Sequence, residues 1–227
     1  MFVERLNYFR ENGYLFIHSS KDLVPVKEQT RNWILSLLGV QAANNPTLIH
    51  EIDFDENFYS SQLIQGNRHK DDQPLINHII ELYDLTNLIN HLCDNSWRIW
   101  DEGFGSLGLR IVRPNSNDGY FWSCKAWGPA KNVLSFSIPQ FIGCPLSGTA
   151  ILPKSHLLRE LPTTVEDSIH CKDELRLDIK KVDISSKTHP VTKAGDLLMM
   201  DPRLIHTEKN FSKKLTRVSL EFRIERL

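Results

Sequence analysis

The chain has 227 residues, of which 41% are hydrophobic and 24% charged, with a formal net charge of −1. These values fit one globular domain with a sizeable core. The near-zero charge excludes nucleic acid and acidic membrane as default partners, and no apolar run reaches the length of a membrane span.

The opening MFVERLNYFREN mixes Glu4, Arg5, Arg10 and Glu11 into its apolar residues, unlike a signal peptide. Residues 3–12 predict a first helix, stopped at Gly13, and Tyr14 to Ile17 a short strand. Residues 22–38 read as an amphipathic helix burying Leu23, Val26, Trp33, Leu37 and Leu38. Residues 44–72 are polar and irregular. Over 74–93, Leu75, Ile79, Leu82, Leu85, Ile89 and Leu92 recur at helical spacing. From about residue 97 the texture changes to short strands, expected at 107–113, 119–127, 133–138, 148–152, 179–184, 196–200 and 215–224. Turn residues punctuate them, among them Pro114, Gly128, Pro139, Gly148, Gly195 and Pro202. A helical first part and a strand-rich second part predict an α+β fold, with helices packed on one sheet of a sandwich or jelly roll. Cys93, Cys124, Cys144 and Cys171 form no C-x-x-C pair, so they read as reduced thiols of a cytoplasmic protein.

Three stretches carry a family resemblance. FRENGYLFI (9–17) resembles the opening helix, Gly and strand of phytanoyl-CoA-dioxygenase-like proteins. LSGTAILPKSH (146–156) is similar to their small-residue, strand and Pro-x-Ser-His segment. AGDLLMMDPRLIHTEKNFSKKLTRVSLEFR (194–223) resembles their C-terminal signature, and is the most specific of the three. The resemblance implies a double-stranded β-helix over 97–227, braced by the mainly helical residues 1–96 in a single domain. It also implies iron(II) held by a His-x-Asp/Glu and a distal His, with an Arg pairing the far carboxylate of 2-oxoglutarate. Transferred residue by residue, His206 takes the distal position and Arg217 the co-substrate position. The plain alternatives are a surface-loop His206 and an Arg217 paired to Glu221 or Glu225.

The other two ligands do not carry over. In GYFWSCKAWG (119–128), Ser123 stands at the His position and Lys125 at the carboxylate position. A neutral hydroxyl binds Fe(II) poorly, and a protonated Lys has no lone pair and repels a cation. His69-Lys70-Asp71 matches His-x-Asp in letters but precedes the strand region. Asp118 sits in a loop signature, PNSNDG. Cys124 faces away if Ser123 and Lys125 face the cavity, and then reads as a small buried hydrophobe.

The expectation is therefore an oxygenase fold without its iron site and without a cofactor. Lys125, His206 and Arg217 would line a cavity suited to an anionic small molecule, such as a sugar-nucleotide metabolite of polysaccharide or natural-product biosynthesis. Lys125 would serve there as a base or nucleophile, or would only reach solvent or Asp201. Ser123, Trp122 and Trp127 would contact the ligand, with Trp100, Tyr120 and Phe121 as further stacking surfaces or as core. Two other readings stand beside this one. One is an active Fe(II)/2-oxoglutarate dioxygenase with other ligands; the other is a binding subunit of a biosynthetic partner or a homodimer.

Overall fold

The computed structural model describes residues 2–19, 23–52, 63–65, 73–100, 106–114, 131–144, 147–166 and 174–227. Helix α1 (Phe2–Asn12) ends where Gly13 adopts a φ of +79°, and strand β1 (Tyr14–Ile17) follows. Pro25 stands in the first turn of α2 (Val24–Leu38), where a missing amide costs nothing. The core-facing row of α2 is Val26, Thr30, Ile34 and Leu38. Sequence reading found Val26 and Leu38 but missed Ile34 and Thr30; the Thr30 hydroxyl donates to Val26 O at 2.8 Å and so needs no outside partner.

After α3 (Val40–Asn44), a 3-10 segment (Pro46–Glu51) and β2 (Leu63–Gln65), the expected long helix is two helices, α4 (Gln73–Leu82) and α5 (Thr86–Leu92). Asp84, with φ +56°, breaks the helix between them and resets the phase of the apolar stripe. Ile76, Ile79 and Ile80 are buried before the break, and Leu85, Leu88 and Ile89 after it.

Next come β3 (Trp97–Ile99), β4 (Leu107–Val112), β5 (Val133–Phe141), β6 (Gly148–Ile151), β7 (Thr163–Glu166), β8 (Glu174–Leu177), β9 (Leu197–Met200), β10 (His206–Lys209) and β11 (Arg217–Arg226). Among the described residues the large sheet runs β1-β9-β5-β11-β4-β2, with β3 also pairing β11. Every pairing is antiparallel. The first 96 residues thus supply a strand to each edge of this sheet as well as the helices. The strand expected over 179–184 is instead a 3-10 turn (Ile179–Lys181). The true partner of β7 is β8, just before it.

Alternation sorts the large sheet into two faces. Leu107, Leu109, Phe136, Ile138, Leu220, Phe222 and Ile224 join the helices in one apolar cluster. The opposite face looks toward the two-stranded sheet β6-β10. Ile151 of β6 meets Leu198 and Met200 of β9 there. The outer face of β6-β10 carries Ala150, Leu152 and Ile205, packed with Leu177 of β8. The molecule is an α+β double-stranded β-helix with its helices on one face of the larger sheet.

Candidate functional site

Along β11 the inner face of the large sheet is polar. Arg217, Ser219, Glu221 and Arg223 alternate along β11, on the side opposite Leu220 and Phe222. Register sets Ser219 beside Arg110 of β4. It sets Glu221 beside Ser137 and Arg223 beside Ser135, both of β5. The Arg110 guanidinium donates to both Glu221 oxygens, Nε at 2.5 Å and Nη2 at 3.2 Å. Burial works against the Arg110 charge, but Glu221, with Glu208 beyond, more than offsets it and holds the group firmly protonated. Arg223 is pushed the other way, first by burial and then by Arg110. Its guanidinium lies 4.9 Å from the centre of the Trp100 ring, so one face of that ring is already covered.

The opposite wall comes from β10 and β6. His206 pairs across to Ile151, and Glu208 to Thr149. His206 and Glu208, two apart on β10, therefore share the inward face with Ile151 and Thr149. His206 Nδ1 lies 2.9 Å from Leu204 O. A proton on Nδ1, donated to that carbonyl, makes Nε2 the nitrogen that carries the lone pair.

Arg217 is 1% exposed. Its Nη1 donates to Glu208 Oε2 at 2.5 Å, and Thr149 Oγ1 donates to the other Glu208 oxygen. The pair joins the two sheets across the interior. Of the sequence-predicted partners of Arg217, Glu221 is taken by Arg110 and Glu225 by Arg98. Glu208 was missed, although its signal was legible: in His206-Thr207-Glu208 the carboxylate shares a strand face with the His. Among the described residues, Ser137 Oγ, Ser219 Oγ, Arg217 Nε and Trp100 Nε1 are buried without a hydrogen-bond partner. Buried polar atoms are satisfied in more than nine cases in ten, so a run of four along one sheet face marks a place built for something polar.

Of the predicted site residues, the structure brings His206 and Arg217 to this interior. Ser123, Lys125, Trp122 and Trp127 lie outside the described residues, as do Tyr120, Phe121, His69, Asp71, Asp118 and Cys124. A cavity of about 700 Å³ sits elsewhere, between Leu152, Ser155, Leu161, Lys181 and Asp183 outside the small sheet. It touches none of the predicted residues.

The quoted motifs have structural work as well. Ser155 Oγ accepts from Ile205 N at 2.8 Å, and His156 Nε2 lies 3.0 Å from Arg10 O at the end of α1. Asp196 accepts from Ser19 N at 3.1 Å and Lys193 N at 2.8 Å, which ties β9 to the chain after β1. Asn210 donates to Val112 O and to Leu215 O, each at 2.8 Å, and accepts from Ser147 Oγ at 2.8 Å. That fixes the turn that delivers Arg217 to the start of β11.

No protein-family model matches the chain, and no curated protein sequence matches it. Solved structures do. The epimerase SnoN, in complex with Fe3+, alpha ketoglutarate and nogalamycin RO, matches with a TM-score of 0.65 at 14% identity, over 99% of this chain and 83% of its own. The non-heme alpha ketoglutarate dependent carbocyclase SnoK from nogalamycin biosynthesis matches at 0.61 and 13%, over 98% and 83%. EctD from S. alaskensis, with 2-oxoglutarate and 5-hydroxyectoine, matches at 0.64 and 14%, over 98% and 75%. At such identities the likeness establishes the fold, that of the iron- and 2-oxoglutarate-dependent oxygenases.

The fold implies two small groups, and the residues treat them differently. His206 suits one ligand position of an iron ion. Among the described residues no group of three His, Cys, Asp or Glu is placed to hold a metal, and positions 123 and 125 are not among them. 2-Oxoglutarate fits poorly. The guanidinium that would receive its far carboxylate is already bonded to Glu208, inside a buried pair. Displacing Glu208 would leave its carboxylate buried and uncompensated, and an arriving carboxylate would also meet that charge.

Proposed function

We propose that the protein binds a small, acceptor-rich, anionic metabolite between its two sheets, and that it does not run 2-oxoglutarate-coupled oxygen chemistry. The observation that carries this is the line of buried, unpartnered polar atoms, Ser137 Oγ, Ser219 Oγ, Arg217 Nε and Trp100 Nε1. Two of them are obligate N–H donors and two are hydroxyls, so oxygen-rich groups such as phosphate, carboxylate or sugar hydroxyls match them. Among the described residues, Arg110, Arg217 and Arg223 share this interior with Glu208 and Glu221. Lys125 would add a positive charge if its side chain joins them. SnoN and SnoK are named for steps of nogalamycin biosynthesis, which supports a natural-product or sugar-derived ligand. The resemblance to phytanoyl-CoA-dioxygenase-like proteins belongs to the same proposal, with Ser123 and Lys125 standing where two iron ligands would be.

The test has two arms. In thermal-shift titrations against sugar phosphates and nucleotide sugars, at least one compound should raise Tm, and Ser137→Ala with Ser219→Ala should reduce the shift at least tenfold in apparent affinity. In the second arm, purified protein should hold no stoichiometric iron and form no succinate with Fe(II) and 2-oxoglutarate. The double variant Ser123→His, Lys125→Asp should gain iron affinity through His206. The active-dioxygenase reading draws on the inward placement of His206. It would replace ours if wild-type protein bound iron tightly and His206→Ala abolished that binding.

A further inference from the structure

We infer that Glu208 occupies, from within the chain, a carboxylate-binding site centred on Arg217, and that removing Glu208 turns this site into a receptor for dissolved carboxylates. Arg217 opens β11 and is enclosed between the two sheets. A guanidinium there needs an anion, and its planar fork matches a carboxylate best. Glu208 supplies one. Oε2 takes Nη1 of Arg217 at 2.5 Å, Oε1 takes the Thr149 hydroxyl, and both residues of the ion pair are almost wholly buried. A Cβ at Gly148 would lie 3.8 Å from Arg217 Nη2 and 3.5 Å from Thr192 Oγ1, which is ordinary contact.

The chemistry of the pair is that of arginine with a short alkyl carboxylate, and it needs no covalent link to the strand. Acetate and propionate reproduce the Glu208 head, and 2-oxoglutarate carries the same head at its far end. The inference stands whether or not the metabolite proposed above exists, because it concerns Arg217, Thr149 and Glu208 alone.

The experiment compares wild type, Glu208→Ala and Glu208→Gln in chloride buffers of fixed ionic strength. Acetate, propionate and 2-oxoglutarate are the probes, read by thermal shift and calorimetry. Wild type should show no carboxylate-specific shift. Glu208→Ala should be less stable in chloride and recover with acetate or propionate. It should bind at least one probe tenfold or more tighter than wild type does. Glu208→Gln, which keeps the side chain's bulk, should gain less than Glu208→Ala. Adding Arg217→Met to Glu208→Ala should remove the gain. The inference is overturned by wild type binding 2-oxoglutarate as tightly as Glu208→Ala, or by a folded Glu208→Ala with no gain. A Glu208→Ala chain that stays unfolded at every acetate concentration, beside a folded Glu208→Gln with no gain, would overturn it equally. Failure of the metabolite panel on wild type leaves this comparison intact, so the two ideas fail separately.

Discussion

Gly13 sits at a φ of +79°, and a Cβ built on it would lie 2.4 Å from His156 Nδ1. Neighbouring bonds close the joint. Lys154 N donates to Asn12 O at 3.0 Å, and Asp201 N donates to Gly13 O at 2.9 Å. Segments from all three quoted motifs therefore meet at one residue. Burial holds the Asp201 carboxyl above its usual range, against the opposing pull of Arg203 N and His156. Gly13→Ala should destabilise the fold by about 3 kcal/mol, combining left-handed strain with the clash, as measured by urea denaturation. In a His156→Ala background the same substitution should cost less, because only the backbone strain remains. Equal costs in the two backgrounds would show that the ring contact carries nothing. The sequence flagged Gly13 and the Ser155-His156 pair separately. Their meeting was not legible, since more than 140 residues separate them and no periodicity links them.

Elements were legible where one period ran unbroken. Strand β4 and helix α1 match their predicted spans closely, because alternation or a 3.6-residue stripe with a clear stop marks each. The 74–93 segment fails by one residue's conformation: Asp84 turns left-handed, and Leu85 to Ile89 begin a new stripe. No strand was expected at β10, because His206-Thr207-Glu208-Lys209 reads polar throughout, whereas His206 and Glu208 share the inward face of that strand. The β10–β11 turn shows how one side chain can set an element. Asn210 bonds to Val112 O, Leu215 O and Ser147 Oγ, and its Oδ1 also accepts from Ser212 N at 3.0 Å. Asn210→Ala leaves buried carbonyls unpartnered at about 1–3 kcal/mol each, so its loss should total about 3 kcal/mol after relaxation. Asn210→Asp keeps only the acceptor half and should fall between. Wild-type stability for Asn210→Ala in guanidinium denaturation would sink this account.

Across the whole molecule, β11 is the axis. It pairs with β4 and β5 along its length and with β3 at its end, and Phe222 stacks on Phe136 with ring centres 4.5 Å apart. Among the described residues, β7 and β8 pair only with each other. Native-state amide exchange should therefore be slowest in β11 and β5 and much faster in β7-β8. Comparable rates in the two regions would argue against a sheet that unfolds only globally. Sequence reading reached this architecture through texture and resemblance, but the strand order, and with it the polar inner face, depends on long-range pairing that one sequence does not display. The Arg217–Glu208 bond has a kinetic and competitive meaning as well as a static one. A carboxylate fixed on β10 is a tethered ligand. Even flexible short tethers give effective concentrations around the millimolar range, and a rigid strand with Thr149 as a second anchor presents its oxygens already oriented. A dissolved carboxylate at cellular concentration competes with a partner that never diffuses away. If that site does take carboxylates, swings in the surrounding pool of organic acids should leave the wild-type chain unmoved.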